Sequence, residues 1–174
     1  MLEEKSDLQV PYFELFRSVA AFILDVDGVL TDGSLLITNS FDQLRTMNIR
    51  DGYALQLAVK KGFLVIVITG ANSPGVVQRL NGLGILYVLA NVQDKKSALL
   101  QIINALNIDL SKTMYIGDDI PDLEVMQLCG VTCCPQDAAP EIIAISKYIS
   151  PYNGGKGCVR DILEKVMKLQ DKWI

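Results

Sequence analysis

Two aspartates two residues apart, Asp25 and Asp27, close the apolar run AFILD and stand just before Gly28. Carboxylates this near one another cannot both stay ionised cheaply unless a cation or hydrogen-bond donors lie between them. Gly28 lets the chain turn sharply and bring its backbone close to a ligand. A second acidic cluster, Gly117-Asp118-Asp119-Ile120-Pro121-Asp122, follows another apolar run. A helix cap accounts for one of its aspartates and a first-turn position for another, but three need a further reason. Together the clusters offer the hard oxygen donors that Mg²⁺ prefers. Thr69-Gly70 ends a third run, where the hydroxyl and the N–H groups of a following helix start suit a phosphate. Lys95 and Lys96 open a helical pattern, a position that disfavours cations unless they face solvent or an anion. Periodicity does not choose between the two lysines. Carboxylates, a hydroxyl and a lysine at successive run ends are the parts of metal-assisted phosphoryl transfer.

The elements that must position these groups alternate along the chain. Runs at 21–25, 63–69, 85–89, 113–117 and 131–134 are almost continuously apolar, as expected of strands covered on both faces. Helical patterns lie between them at 52–61, 73–83, 95–106 and 121–129. In the third of these, Ala98, Leu99, Ile102, Ile103 and Leu106 form one apolar stripe. The alternation predicts an α/β fold, a Rossmann-like three-layer sandwich around a central parallel sheet. Ligands of such sheets bind at the carboxyl ends of the strands, where the candidate residues fall.

Two segments depart from that rhythm. Residues 33–51 are too long for an ordinary strand-to-helix loop, and 35–38 and 43–48 flank the turn Asn39-Ser40-Phe41-Asp42. They predict a β-hairpin flap after the first strand. The tail, 153–174, begins with Asn153-Gly154-Gly155-Lys156-Gly157, read as a flexible linker, and continues as an amphipathic helix over 159–173. With 174 residues and no repeat, the expectation is one domain over 1–174, without a cap domain.

Composition narrows the function classes. The formal net charge of −4 leaves no broad basic field for nucleic acid. There is no histidine, which excludes histidine acid–base chemistry, and the four cysteines have no CxxC spacing for a zinc site. They read as small apolar residues in a reducing compartment. The N-terminal MLEEKSDLQV has no signal-peptide core, and no run approaches the ~18 apolar residues of a membrane span. A cytoplasmic protein without a membrane or nucleic-acid partner is expected.

The sequence resembles the haloacid dehalogenase superfamily. Asp25-Val26-Asp27-Gly28-Val29-Leu30-Thr31 is similar to its DxDGxx[TV] motif, Thr69 stands at its Ser/Thr position, and Lys95 is similar to its lysine. Gly117-Asp118-Asp119-Ile120-Pro121-Asp122 fits GDDxxD, and the likeness runs from about Ala21 to the tail. The hairpin insert, Arg50-Asp51-Gly52-Tyr53, Leu83-Gly84-Ile85 and Gly154-Gly155-Lys156-Gly157-Cys158-Val159-Arg160 resemble the capless subgroup that contains the 3-deoxy-D-manno-octulosonate 8-phosphate (KDO 8-phosphate) phosphatases. One departure is plain: many members carry an arginine after the Thr-Gly pair, and this chain has Ala71-Asn72.

The resemblance implies a Mg²⁺-dependent phosphoric monoester hydrolase of lipopolysaccharide precursor biosynthesis. Its catalytic residues would be Asp25 as nucleophile, Asp27 as acid and base, and Thr69 and Lys95 on the phosphoryl oxygens. Asp25, the Asp27 carbonyl and Asp118 would hold the metal, with Asp119 and Asp122 orienting groups around it. Thr31, Gly70, Arg50, Lys156 and Arg160 are candidates for binding a phosphorylated sugar acid. It further implies a homotetramer in which hairpins and tails meet neighbouring active sites. The phosphatase for the nine-carbon acid (KDN 9-phosphate) shares these features. A phosphoacceptor receiver domain, from another class, also clusters aspartates, Thr and Lys around Mg²⁺. Its single acceptor follows a middle strand, whereas here the DxD pair closes the first.

Overall fold

Burial on both faces explains why the strand sequences are apolar throughout rather than alternating. The structure, a computed structural model, describes residues 11–174, so the N-terminal segment read for a targeting signal lies outside the described residues. In chain order come α1 (Tyr12–Ser18), β1 (Ala21–Leu24), the hairpin strands β2 (Leu36–Ile37) and β3 (Gln43–Leu44), and α2 (Ile49–Lys60). Then follow β4 (Leu64–Ile68), α3 (Pro74–Gly82), β5 (Tyr87–Leu89), α4 (Lys95–Leu106) and β6 (Thr113–Ile116). The chain ends with α5 (Ile120–Met126), β7 (Val131–Cys134), α6 (Pro140–Ile145), β8 (Tyr148–Ile149) and α7 (Cys158–Leu169).

The main sheet has the order β5-β4-β1-β6-β7-β8, and every neighbouring pair is parallel. The chain fills the sheet outward from β1 in one direction, then returns to β6 and fills the other side. β1 and β6 therefore flank the point where strand order reverses, the usual crevice for a ligand. Asp25 follows β1 and Asp118 follows β6 by two residues, so this topology brings the two acidic clusters together.

Successive β1 side chains alternate between two cores. Phe22 and Leu24 pack with Phe16, Leu55, Leu80, Ile162 and Val166, contributed by α1, α2, α3 and α7. Ile23 packs with Leu99, Ile103, Val125 and Ile142 under α4, α5 and α6. Three layers result, as expected. Leu99 and Ile103 from the apolar stripe of α4 are buried, and Pro74, Pro121 and Pro140 each occupy a first helical turn, where a missing N–H costs nothing.

Several boundaries move for local reasons. α2 starts three residues before the expected Gly52 because the Asn48 side chain accepts a hydrogen bond from the Arg50 N–H and caps it. The hairpin is present but pairs only Leu36 with Leu44 and Ile37 with Gln43. Its turn is held by hydrogen bonds among Thr38, Ser40 and Asp42 and places Phe41 at φ 66°. α1, α6 and β8 were not expected; each is short, and the two-residue edge strand β8 has too little sequence to carry a period.

The tail corrects one expectation. Residues 153–157 are docked against the loop after β1, with the Gly155 N–H donating to the Val29 carbonyl at 2.9 Å and the Gly154 N–H to Asp137 at 2.9 Å. Gly155 and Gly157 take positive φ, which suits glycine, and turn the chain into α7. α7 then buries Val159, Ile162, Leu163, Val166 and Met167 in the first core. No helix among the described residues is long and apolar enough to cross a membrane.

Candidate active site

A cavity of about 810 Å³ opens at the carboxyl ends of β1, β4 and β6, lined among others by Asp25, Asp27, Thr69, Gly70, Lys95, Asp118 and Asp119. Lys95 stands at the first position of α4, whose N-cap Asp94 accepts a hydrogen bond from the Ser97 N–H. Its ammonium reaches Asp25 Oδ2 and Asp122 Oδ1, both at 2.8 Å, and is almost fully buried. Lys96, by contrast, is exposed and meets Glu124 at 3.3 Å. Of the two lysines that periodicity left open, the structure brings Lys95 to Asp25 and leaves Lys96 at the surface.

Asp122 is saturated by protein donors. Its Oδ1 accepts from Lys95 and from the Tyr115 hydroxyl at 2.7 Å, and its Oδ2 accepts from the Asp118 N–H at 3.1 Å. It orients Lys95 and the Asp118 backbone. Asp25 and Asp118 differ: Asp25 Oδ1 and Asp118 Oδ1 are buried and find no hydrogen-bond partner among the described residues. Buried carboxylate oxygens without a donor are costly, and a hard cation relieves that cost. Carboxylate oxygens of Asp25, Asp118 and Asp122 lie within 4.8 Å of one another. A side chain at Gly28 would overlap the Asp118 carboxylate, so that glycine makes room for the acid. The residues present fit a bound Mg²⁺.

Electrostatics agree with that fit. Burial, followed by the neighbouring Asp122 charge, pushes the Asp25 carboxyl up to about 6 although Lys95 opposes the shift. Burial, Asp25 and Asp122 push Asp118 up to about 8. Lys95 loses hydration by burial, but the Asp25 and Asp122 charges outweigh that loss and raise its ammonium pKa, keeping it charged.

Asp27 points into the same cavity and is partly exposed. Thr31 was a candidate for substrate contact, but it is fully buried. Its hydroxyl donates to Asp27 and accepts from the N–H groups of Gly28 and Gly33, all at 3.3 Å, so it ties the loop together. Thr69 is buried at the end of β4, with its hydroxyl accepting from the Ala71 N–H at 3.2 Å. Asp119 occupies the N-cap position of α5 without bonding the helix, which leaves its carboxylate free at the rim.

Arg50, Lys156 and Arg160 are not brought to Asp25. They line a separate cavity of about 520 Å³ between α2 and the tail. Lys156 is turned to Asp32 at 2.8 Å, while Arg160 pairs with Glu164 at 2.6 Å and stacks over Trp173 with its guanidinium 4.3 Å from the ring centre. Tyr115 and Arg45 are site residues the sequence did not single out. Tyr115 reads as a core aromatic in an apolar strand, and Arg45 as one more hairpin charge.

Comparison with known proteins bears on this geometry. Residues 80–162 match the family described as haloacid dehalogenase-like hydrolase. The 3-deoxy-D-manno-octulosonate 8-phosphate phosphatase of Escherichia coli K12 is 33% identical over 156 residues, 90% of this chain and 83% of that protein. The chain belongs to the haloacid dehalogenase-like hydrolases. The structure of the corresponding phosphatase from Yersinia pestis superposes with a TM-score of 0.90 at 30% identity, covering 92% of this chain and 87% of that one. The Moraxella catarrhalis phosphatase, solved with magnesium, phosphate and KDO, gives a TM-score of 0.89 at 32% identity and covers 92% of both chains. These haloacid dehalogenase-like relatives share the parallel α/β architecture described above. The four cysteines, as expected of apolar residues, are buried and form no disulfide among the described residues.

Proposed function

We propose that this chain is a Mg²⁺-dependent phosphatase that hydrolyses 3-deoxy-D-manno-octulosonate 8-phosphate to KDO and phosphate, a step of lipopolysaccharide precursor formation. The observation that carries the reading is the junction of two buried carboxylate oxygens without a hydrogen-bond partner among the described residues, Asp25 Oδ1 and Asp118 Oδ1, with the buried ammonium of Lys95 on the other Asp25 oxygen. The similarity to phosphatases of that substrate, one of them solved with magnesium, phosphate and KDO, supports the substrate.

Asp25 attacks phosphorus, forming an aspartyl phosphate as the bond to the sugar oxygen breaks. Asp27 gives its proton to that leaving oxygen, then takes one from the water that attacks the aspartyl phosphate. Phosphate leaves, and the Asp25 carboxylate is restored. Lys95 and Thr69 hold the transferring oxygens, and the N–H groups near Gly70 face the same anion. Asp119 orients water at the rim, and Asp122 fixes Lys95. Mg²⁺, held by Asp25, the Asp27 carbonyl and Asp118, would offset the repulsion between the carboxylate nucleophile and the phosphate.

The chain works in the cytoplasm as one domain. The exposed Leu36, Ile37 and Phe41 of the hairpin support a homotetramer in which hairpins cover neighbouring sites. Because the tail segment 153–157 binds its own chain, the hairpin carries more of that contact than the tail. A mass of four chains in solution is expected, and an active monomer would refute the assembly.

A second reading, KDN 9-phosphate, stays beside the first because the phosphatase for that acid shares the same motif features, and because this chain has Ala71-Asn72 where many members of the capless subgroup carry an arginine. Comparing kcat/KM for KDO 8-phosphate, KDN 9-phosphate and hexose phosphates decides. The KDO ester is expected to be best, and a hexose phosphate preference would defeat the sugar-acid reading.

A further inference from the structure

One buried cation has no task in this scheme. Arg45, immediately after β3, sends its guanidinium across to Asp27: Nε donates to Oδ1 at 2.7 Å and Nη2 to Oδ2 at 3.0 Å. Nη1 donates to the Gln43 carbonyl at 3.1 Å, and the side chain is only 6% exposed. A two-pronged guanidinium–carboxylate pair is strong and fixed in direction. It ties an otherwise exposed hairpin to the residue beside the nucleophile.

Its position is equally specific. Arg45 lines a second cavity, of about 930 Å³, between the hairpin and the start of α3, where Met47, Asn72 and Ser73 also face. Asp27 lines the first cavity, with Asp25 and Lys95. The Arg45–Asp27 pair is thus the partition between the place for a phosphate and the space beyond it. Ala71 and Arg45 line the same small crevice beside this partition.

The pair also has a consequence for the reaction. Each Asp27 oxygen accepts from the guanidinium, so Arg45 competes with a leaving oxygen for Asp27. A substrate that brings its own carboxylate offers the guanidinium a partner of the same shape and charge. A neutral sugar phosphate offers none.

We propose that Arg45 is a specificity-determining residue: its guanidinium receives the carboxylate of a phosphorylated sugar acid and in doing so hands Asp27 over to the leaving oxygen. The inference rests on the sugar-acid phosphatase reading above and adds the residue that enforces it. Discrimination then shows in kcat as well as in KM, because a neutral sugar phosphate leaves Asp27 clasped even when its phosphate is bound.

The test measures kcat and KM with KDO 8-phosphate and with glucose 6-phosphate, in Mg²⁺, for the wild type, Arg45→Gln and Arg45→Lys. Arg45→Gln is expected to lower the ratio of the two kcat/KM values at least about tenfold, part of it through kcat. Arg45→Lys keeps the charge without the fork, so its ratio should fall between. Should Arg45→Gln not fold, a lowered ratio in Arg45→Lys supports the proposal and an unchanged one overturns it. A preference for the sugar acid that survives Arg45→Gln within about twofold overturns this inference alone. A wild type without that preference overturns the substrate reading and the role of Arg45 with it.

Discussion

Gly154 lies against the carbonyl oxygen of Gly28, so closely that a Cβ at position 154 would overlap it. The loop carrying Asp25 and Asp27 is therefore backed by the tail, 126 residues away in sequence (154 minus 28). The adjoining Gly155 N–H donates to Val29, and the Cys158 thiol to the same carbonyl at 3.3 Å. Backbone presses on backbone here, so neither side has a flexible group that can move away.

Gly154→Ala should accordingly disturb the reaction more than its size suggests. Overpacking of this kind costs about 1–3 kcal/mol. Misplacing a nucleophile by about 1 Å costs on the order of a hundredfold in rate. A lowered melting temperature with kcat reduced at least tenfold is expected. Unaltered kcat would mean that the tail merely covers the loop.

The two lysines at the start of α4 give a second comparison. Lys95→Met leaves Asp25 and Asp122 facing each other without their shared cation, and kcat should fall roughly 10²–10³-fold or more. Lys96 is exposed and, among the described residues, paired only with Glu124, so Lys96→Met should stay within about fivefold of the wild type. Steady-state kinetics on the two variants read this directly. A larger loss at Lys96 would reverse the assignment.

How much of this was legible beforehand follows from what each residue's neighbours in sequence reveal. The five main strands and the start and end of α4 were readable because burial on both faces, or a long apolar stripe, leaves a local signature. The acidic clusters were readable because nothing local requires so many carboxylates at strand ends. Tyr115 was not: it sits in an apolar strand, and only the fold brings its hydroxyl to Asp122. Arg45 was hidden because its partner lies across the hairpin, 18 residues earlier. Arg50, Lys156 and Arg160 drew notice as cations in motif-like segments, yet the first turn of α2 and the tail, with Gly155 and Gly157 at positive φ, place them around another cavity. The docked glycines of the tail look like a linker in sequence because close backbone contact and flexibility both call for glycine.

The raised carboxyl pKa values predict how stability depends on pH in the metal-free protein. Aspartates of the unfolded chain titrate near ~3.9. Asp25 is raised to about 6 and Asp118 to about 8, so their contribution is fully present below about pH 4 and lost as pH rises through those values. With chelator, the melting temperature should therefore carry a falling component from about pH 5 to about pH 8.5. Mg²⁺ should raise it more at the higher pH, where the ligands are deprotonated. Asp118→Asn should flatten that fall and shrink the Mg²⁺ response. A Mg²⁺ response larger at about pH 5 than at about pH 8.5 would contradict the assigned ligands.

The most direct test of the central claim is the turnover of KDO 8-phosphate by Asp25→Asn in the presence of Mg²⁺. Loss of a covalent nucleophile predicts a fall in kcat of roughly 10⁴-fold or more, with phosphate release near background. Retention of more than a few per cent of wild-type turnover would contradict the account, because the phosphoryl group would then have to travel without Asp25.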